Sequence, residues 1–252
     1  MHRFALTREP GSDLFRGLTT AGLGAPDLLM ARAQHASYVA ALREQGLEVT
    51  VLPALEGCPD ACFVEDTAVI VPGLSVVTRP GAPSRRGETA TIAAALPVDR
   101  PQVTIAAPGT LDGGDVLVVD RTCWIGLSGR TNAEGAGQLV EALAPLGLDC
   151  RLVPVGEGLH LKSSLSHLGG RRLLMTEQLA ALDVFAGWDI MVVPAAEAYA
   201  CNALWLDGRL LVPTGYPRTV ALLAAKGLAL LELDMSEYRK LDGGLTCLSL
   251  RF

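Results

Sequence analysis

Five polar residues recur at nearly even intervals along this 252-residue chain: Glu65, Asp112, His160, Asn202 and Cys247, separated by 47, 48, 42 and 45 residues. Their types form a usable set of tools. A thiolate at Cys247 can attack an electrophilic carbon, and an imidazole at His160 can protonate a leaving amine and then activate water. Carboxylates are poor partners for an oxyanion, so the acids point to a substrate that is itself a cation. A planar guanidinium fits best, because carboxylates bind it in bidentate fashion and its central carbon is open to attack. A free cysteine is ordinarily a small buried hydrophobe, and the common interval is what sets Cys247 apart. His2, His35 and His167 fall outside that interval and read as terminal or structural.

The elements that must carry these residues repeat as well. Phe63 to Val71 and Leu74 to Thr78 read as a strand pair, Ser84 as the cap of a helix reaching about Leu96, and Gln102 to Ala106 as a closing strand. The same strand, turn, strand, helix, strand order follows from Gly114 to Val155, from His160 to Val193 and from Asn202 to Leu233. Before them stand a strand at Arg3 to Thr7, a loop punctuated by Gly11, Gly17, Gly22 and Gly24, a helix opened by Pro26, and a strand at Leu47 to Leu52. This first unit is one strand short. The terminal strand beginning near Cys247, after a Gly243-Gly244 turn, has no unit of its own. Its economical place is in the first unit, which closes five ββαβ repeats into a ring with no free sheet edge. The five interval residues would then meet at one centre. The expectation is a single α/β domain over residues 1–252.

Composition narrows the partners. Half of the residues are hydrophobic, enough for a sizeable core, and the formal net charge is −6. That balance argues against nucleic acid or an anionic membrane as partner and mildly favours a cationic ligand. The chain has no signal-like start and no apolar run of spanning length, and its six cysteines form no disulfide framework, so a cytoplasmic protein is expected. Cys58 and Cys62 lack a second ligand pair, so neither a metal nor an organic cofactor is expected.

The motifs Phe63-Val-Glu-Asp66, Thr78-Arg-Pro-Gly-Ala-Pro-Ser-Arg-Arg86, Leu111-Asp-Gly-Gly-Asp115, Gly129-Arg-Thr-Asn132, Leu159-His-Leu-Lys162, Ala200-Cys-Asn202 and Asp242-Gly-Gly-Leu-Thr-Cys247 together resemble dimethylarginine dimethylaminohydrolases. That family belongs to the penteins, five-bladed α/β-propellers that modify guanidino groups. The resemblance runs through the whole chain in order. It implies that Cys247 is the nucleophile and His160 the general acid and base. It also implies that Asp66 and Asp112 grip the guanidinium, with Glu65 a further member of the acidic wall. At the far end of the substrate, Asp60 and the backbone of Leu18 would hold the α-amino group, and Arg85 and Arg130 the α-carboxylate. Two cations at one end of an otherwise acidic pocket suit a zwitterionic head.

The resemblance implies hydrolysis of dimethylarginine and monomethylarginine to citrulline, without a cofactor, and a homodimer is one assembly compatible with it. The competing readings are an arginine deiminase or hydroxyarginine hydrolase of the same superfamily and, from another class, a non-catalytic pentein binding protein. Arginine deiminases resemble this pattern but place an aspartate two residues after the histidine, where this chain has Lys162, and they carry a further helical insertion. The binding protein would lack part of the nucleophile, base and carboxylate set, which is complete here.

Overall fold

The computed structural model describes residues 2–156 and 158–252. Among the described residues, fifteen strands form five separate three-stranded sheets of one plan, so the ring closes by packing of blades and each sheet keeps its own edges. In each, the inner strand pairs antiparallel with the middle strand, and the middle strand pairs parallel with the outer one. The parallel step needs a crossover, which is supplied by helical segments such as Ala133–Leu143 and Pro217–Ala225.

The first sheet is completed from the far end of the chain. Leu250–Arg251 pairs antiparallel with Phe4–Arg8, with Ala5 opposite Arg251 and Leu6 opposite Leu250. The Phe4 and Phe252 rings stack beside this pairing at 5.8 Å. Apolar side chains fill the spaces within and between blades. Trp124, for example, is fully buried against Phe185 and Trp188.

Several boundaries differ from the sequence reading. The long helix is Leu28–Glu44, and its cap is Asp27, whose carboxylate accepts from the Met30 N–H, rather than Pro26. Ser84 caps nothing. Pro83–Glu88 is a 3-10 stretch, and the α-helix proper is only Thr89–Ala95. Three residues per turn put positions three apart on one face, so Arg85 and Glu88 both point inward from that stretch.

The largest difference lies at the blade centres. Inner strands start at Ala68, Val116, Leu165, Leu204 and Leu250, later than expected. Ahead of them stand 3-10 turns at Val64–Thr67, Gly113–Asp115, Leu161–Ser163, Ala195–Cys201 and Thr246–Leu248. Neighbouring turns pack on one another around the axis. The space is tight: a Cβ on Gly113 would come within 2.0 Å of the Glu65 carbonyl oxygen. A tight turn lets five segments approach the axis where five extended strands would collide. All five interval residues lie in these turns or directly beside them.

Candidate active site

His160 begins the Leu161–Ser163 turn and is 4% exposed. Its Nε2 lies 3.0 Å from Asp112 Oδ2, and its Nδ1 lies 3.8 Å from Asp66 Oδ1. The ring has room only because residue 114 is glycine. A Cβ there would stand 2.7 Å from Asp66 Oδ1 and 2.8 Å from the imidazole. Burial pulls the imidazole toward neutrality, but the Asp66, Asp112 and Asp115 carboxylates outweigh it and raise its pKa to about 9. Burial pushes Asp66 the opposite way, toward the neutral acid. His160, Arg85 and the Gly114 N–H prevail and hold it at about 2. The pair is therefore imidazolium and carboxylate at neutral pH.

Cys247 lies within the Thr246–Leu248 turn. Its Sγ accepts from the Gly244 N–H at 3.4 Å. Burial, with Glu65 and Asp66 nearby, pushes the thiol up to about 12. At neutral pH it is a protonated thiol. The glycines before it serve close packing rather than a left-handed turn: a Cβ on Gly243 would meet the Phe63 ring at 2.2 Å, and one on Gly244 the Asn202 side chain at 2.5 Å. The residue with positive φ is Asp242, at 57°, a conformation aspartate tolerates better than most residues.

Cys247 and His160 line one cavity together with Leu18, Asp60, Asp66, Arg85 and Arg130. The space is small, ≈ 30 Å³. The glycine-rich loop covers it, tied down by the Leu18 N–H to Asp60 at 3.0 Å and by the Thr20 N–H to Asp242 at 2.6 Å. Arg85 is no solvated surface charge. It is buried, pairs with Asp66, grips both oxygens of Glu88, and donates to the Phe63 carbonyl. Nη1 has a single partner, which leaves one of its hydrogens for a ligand. Burial raises Glu88 to about 7 and Asp60 above the usual carboxylate range, both moderated by Arg85.

Two expected members of the acidic wall stand elsewhere. Asp112 is fully buried behind His160 and does not line the cavity. Its Oδ1 accepts from the Gly81 N–H at 2.8 Å and its Oδ2 faces His160. It is a partner of the imidazole rather than a grip on the substrate. Glu65 points to the opposite side of the ring of turns, into a separate cavity of ≈ 160 Å³. There it pairs with Lys162 at 2.6 Å and Arg251 at 3.3 Å and accepts from the Thr246 hydroxyl at 2.7 Å. Lys162 thus neutralises Glu65 and adds no acceptor to the His160 cavity.

Asp66, Asp112 and His160 bring donors of metal-binding type within 4.8 Å of one another. Those donors are committed: Arg85 and the Gly114 N–H hold Asp66, while the Gly81 N–H and the imidazole hold Asp112. The cluster is a hydrogen-bonded acid–base unit.

Known proteins share this arrangement of sequence and fold. A family model described as N,N dimethylarginine dimethylhydrolase, eukaryotic, matches residues 28–157. A Pseudomonas aeruginosa protein named N(G),N(G)-dimethylarginine dimethylaminohydrolase is 41% identical over 254 residues, spanning 100% of both chains. The chain belongs to the dimethylarginine dimethylaminohydrolase family. A solved cysteine-to-serine variant of the Pseudomonas aeruginosa enzyme, complexed with citrulline, superposes with a TM-score of 0.97 at 40% identity and full coverage of both chains. A solved histidine-to-glycine variant, an adduct with S-methyl-L-thiocitrulline, superposes equally well, with the same TM-score, identity and coverage. Sequence reasoning did not single out Glu88, which holds Arg85, or Asp115, which accepts from the Leu161 N–H behind His160. Their signal was spacing: Glu88 follows Arg85 by one 3-10 turn, and Asp115 closes the Asp112-Gly-Gly-Asp115 turn.

Proposed function

We propose that this chain hydrolyses N-omega,N-omega-dimethyl-L-arginine and N-omega-monomethyl-L-arginine to L-citrulline, releasing dimethylamine or methylamine, through a covalent intermediate on Cys247. The observation that carries the reading is the shared cavity, which a thiol, an imidazolium backed by two carboxylates, and two arginines line or adjoin. The citrulline complex and the thiocitrulline adduct of related enzymes support an arginine-shaped ligand with that product.

Cys247 starts as a thiol, because burial and then the Glu65 and Asp66 carboxylates oppose its ionisation. A guanidinium beside Asp66 reverses the local charge, and the thiol proton leaves to solvent as the cation binds. The thiolate adds to the guanidinium carbon. His160 donates its proton to the alkylated nitrogen, the C–N bond breaks, and dimethylamine departs, leaving a thiouronium. The now neutral imidazole takes a proton from water, and the hydroxide adds to the same carbon. The C–S bond then breaks, the added hydroxyl gives its proton to the departing Cys247 thiolate, and the urea carbonyl of citrulline remains beside the restored thiol. Asp112 keeps the imidazole oriented through both protonation states. Asp60 and the Leu18 backbone take the α-amino group, and Arg85 and Arg130 the α-carboxylate. The glycine-rich loop, tied down through Leu18 and Thr20, opens to admit the substrate.

This reading treats residues 1–252 as one catalytic unit. It places the unit in the cytoplasm, supported by six free cysteines and by the absence, among the described residues, of a helix long and apolar enough to cross a membrane. It includes a homodimer as an assembly, checked by light scattering, and no nucleic-acid partner.

The test is a side-by-side assay of dimethylarginine, monomethylarginine and arginine, measuring citrulline and the amine released. Citrulline and dimethylamine in equal amounts, with little ammonia from arginine, are expected. Faster ammonia release from arginine would replace the reading with a deiminase.

A further inference from the structure

Asp115 belongs to the Asp112-Gly-Gly-Asp115 turn but does not reach the substrate cavity, and it is fully buried. Every contact it makes leads to a part of the site. Its Oδ1 accepts from the N–H of Leu161, the residue following His160, at 2.8 Å. Its Oδ2 accepts from the Thr131 hydroxyl at 2.7 Å, and that same hydroxyl oxygen accepts from the Asp112 N–H at 3.1 Å. A third donor, the Ser128 hydroxyl, reaches Oδ2 at 2.7 Å. The Ser128 oxygen in turn accepts from the backbone N–H of Arg130 at 3.0 Å.

One further observation says that the space for this carboxylate is built. Position 126, in the strand alongside, is glycine, and a Cβ there would stand 2.8 Å from Asp115 Oδ1 and 2.9 Å from the Leu161 Cβ. Any larger residue would push the carboxylate or the His160 turn out of place.

We infer that Asp115 is a positioning residue, a single buried anion that fixes His160, Asp112 and the Arg130 turn relative to one another. The inference deepens the proposed hydrolase reading and rests on it for the kinetic consequences. A hydroxyl that accepts from Asp112 and donates to Asp115 couples the acid–base pair to its anchor, so loss of the hydroxyl lets the pair misalign. The charge matters separately. The groups facing His160 are Asp66 from the Val64–Thr67 turn and Asp112 and Asp115 from their own turn. Across the cavity stand Cys247 from the terminal turn, Arg85, Arg130, Asp60 and Asp242. Asp115 is one of three anions that keep the imidazole protonated.

The test combines three variants with two readouts. In Asp115→Asn, NMR titration of the His160 imidazole is expected to give a pKa lower than wild type by about one unit, the low end for one neighbouring charge. Thr131→Val keeps the charge and removes the relay. It is expected to lower kcat about tenfold, a fraction of what an acid–base group contributes, with Thr131→Ser restoring the rate. Ser128→Ala addresses the Arg130 arm and is expected to raise KM more than it lowers kcat. A purely structural Asp115 would lower Tm while the imidazole pKa and the kcat of folded enzyme stay at wild-type values, and that result overturns the inference. If Asp115→Asn does not fold, the Thr131→Val and Thr131→Ser pair decides. If wild-type protein releases no citrulline, the hydrolase reading fails, and the imidazole titration still reports on Asp115.

Discussion

Asn202 and Thr246 exchange two hydrogen bonds: the Asn202 amide donates to the Thr246 hydroxyl at 3.1 Å, and the Thr246 N–H donates to Asn202 Oδ1 at 3.0 Å. The pair joins the last blade to the returning C-terminal segment, one residue before the nucleophile. Asn202 also donates to the Lys162 carbonyl, so it links the His160 turn to the Cys247 turn. The fourth interval position thus seats the thiol rather than lining the cavity it faces.

Asn202→Ala leaves the Thr246 N–H without its acceptor in a buried setting. A loss of about 1–3 kcal/mol is expected for such a group, together with a kcat drop larger than the change in KM. Denaturant melts and steady-state kinetics on the same preparation check both parts. Unchanged kcat would detach Asn202 from the seating of Cys247.

Gly114→Ala puts a methyl group where Asp66 and the imidazole already stand. The backbone or the ring must move, and an acid–base group displaced by about 1 Å costs up to ~100-fold in rate. The expected result is a kcat between about tenfold and 100-fold below wild type, with a lowered Tm. A fully active variant would mean that His160 does not act from the observed position.

Stability should fall on the alkaline side. His160 has a folded pKa of about 9 against an ordinary 6.5, so its contribution is complete below pH 6.5 and is lost as pH rises through 9. Glu88, raised from 4.5 to about 7, acts in the same direction over a lower window. Asp66 is lowered from 3.8 to about 2, so its contribution is present above pH 3.8 and is lost only as pH falls through 2. A Tm profile should therefore decline between pH 6.5 and 9, and His160→Gln should flatten that decline. An equal slope in the variant would show that another group carries it.

The closure of the first blade and the gathering of the five interval positions at the central turns are legible because a ring repeats its elements, and an interval reports which layer a residue occupies. Direction within the layer was not legible. Glu65 and Asp66 are neighbours in the chain, yet on a 3-10 turn one faces Lys162 and the other faces His160. Read as a strand, the segment gives no reason to divide them between separate cavities. Asp112 likewise was expected from the resemblance as a substrate contact, whereas its backing role depends on where the Gly81 N–H and the imidazole lie. Arg85 was legible only through the family resemblance, since its neighbours in the chain say nothing of burial. Its burial follows from the 3-10 stretch and from Glu88, and both depend on packing against the Val64–Thr67 turn.

The most direct test of covalent hydrolysis at Cys247 is mass spectrometry of enzyme quenched in acid during turnover of dimethylarginine. The peptide bearing Cys247 should carry an added amidino group with the ornithine skeleton attached. Cys247→Ser, folded by circular dichroism, should show neither the adduct nor citrulline. Citrulline formation by Cys247→Ser, or an adduct on another residue, would contradict the account.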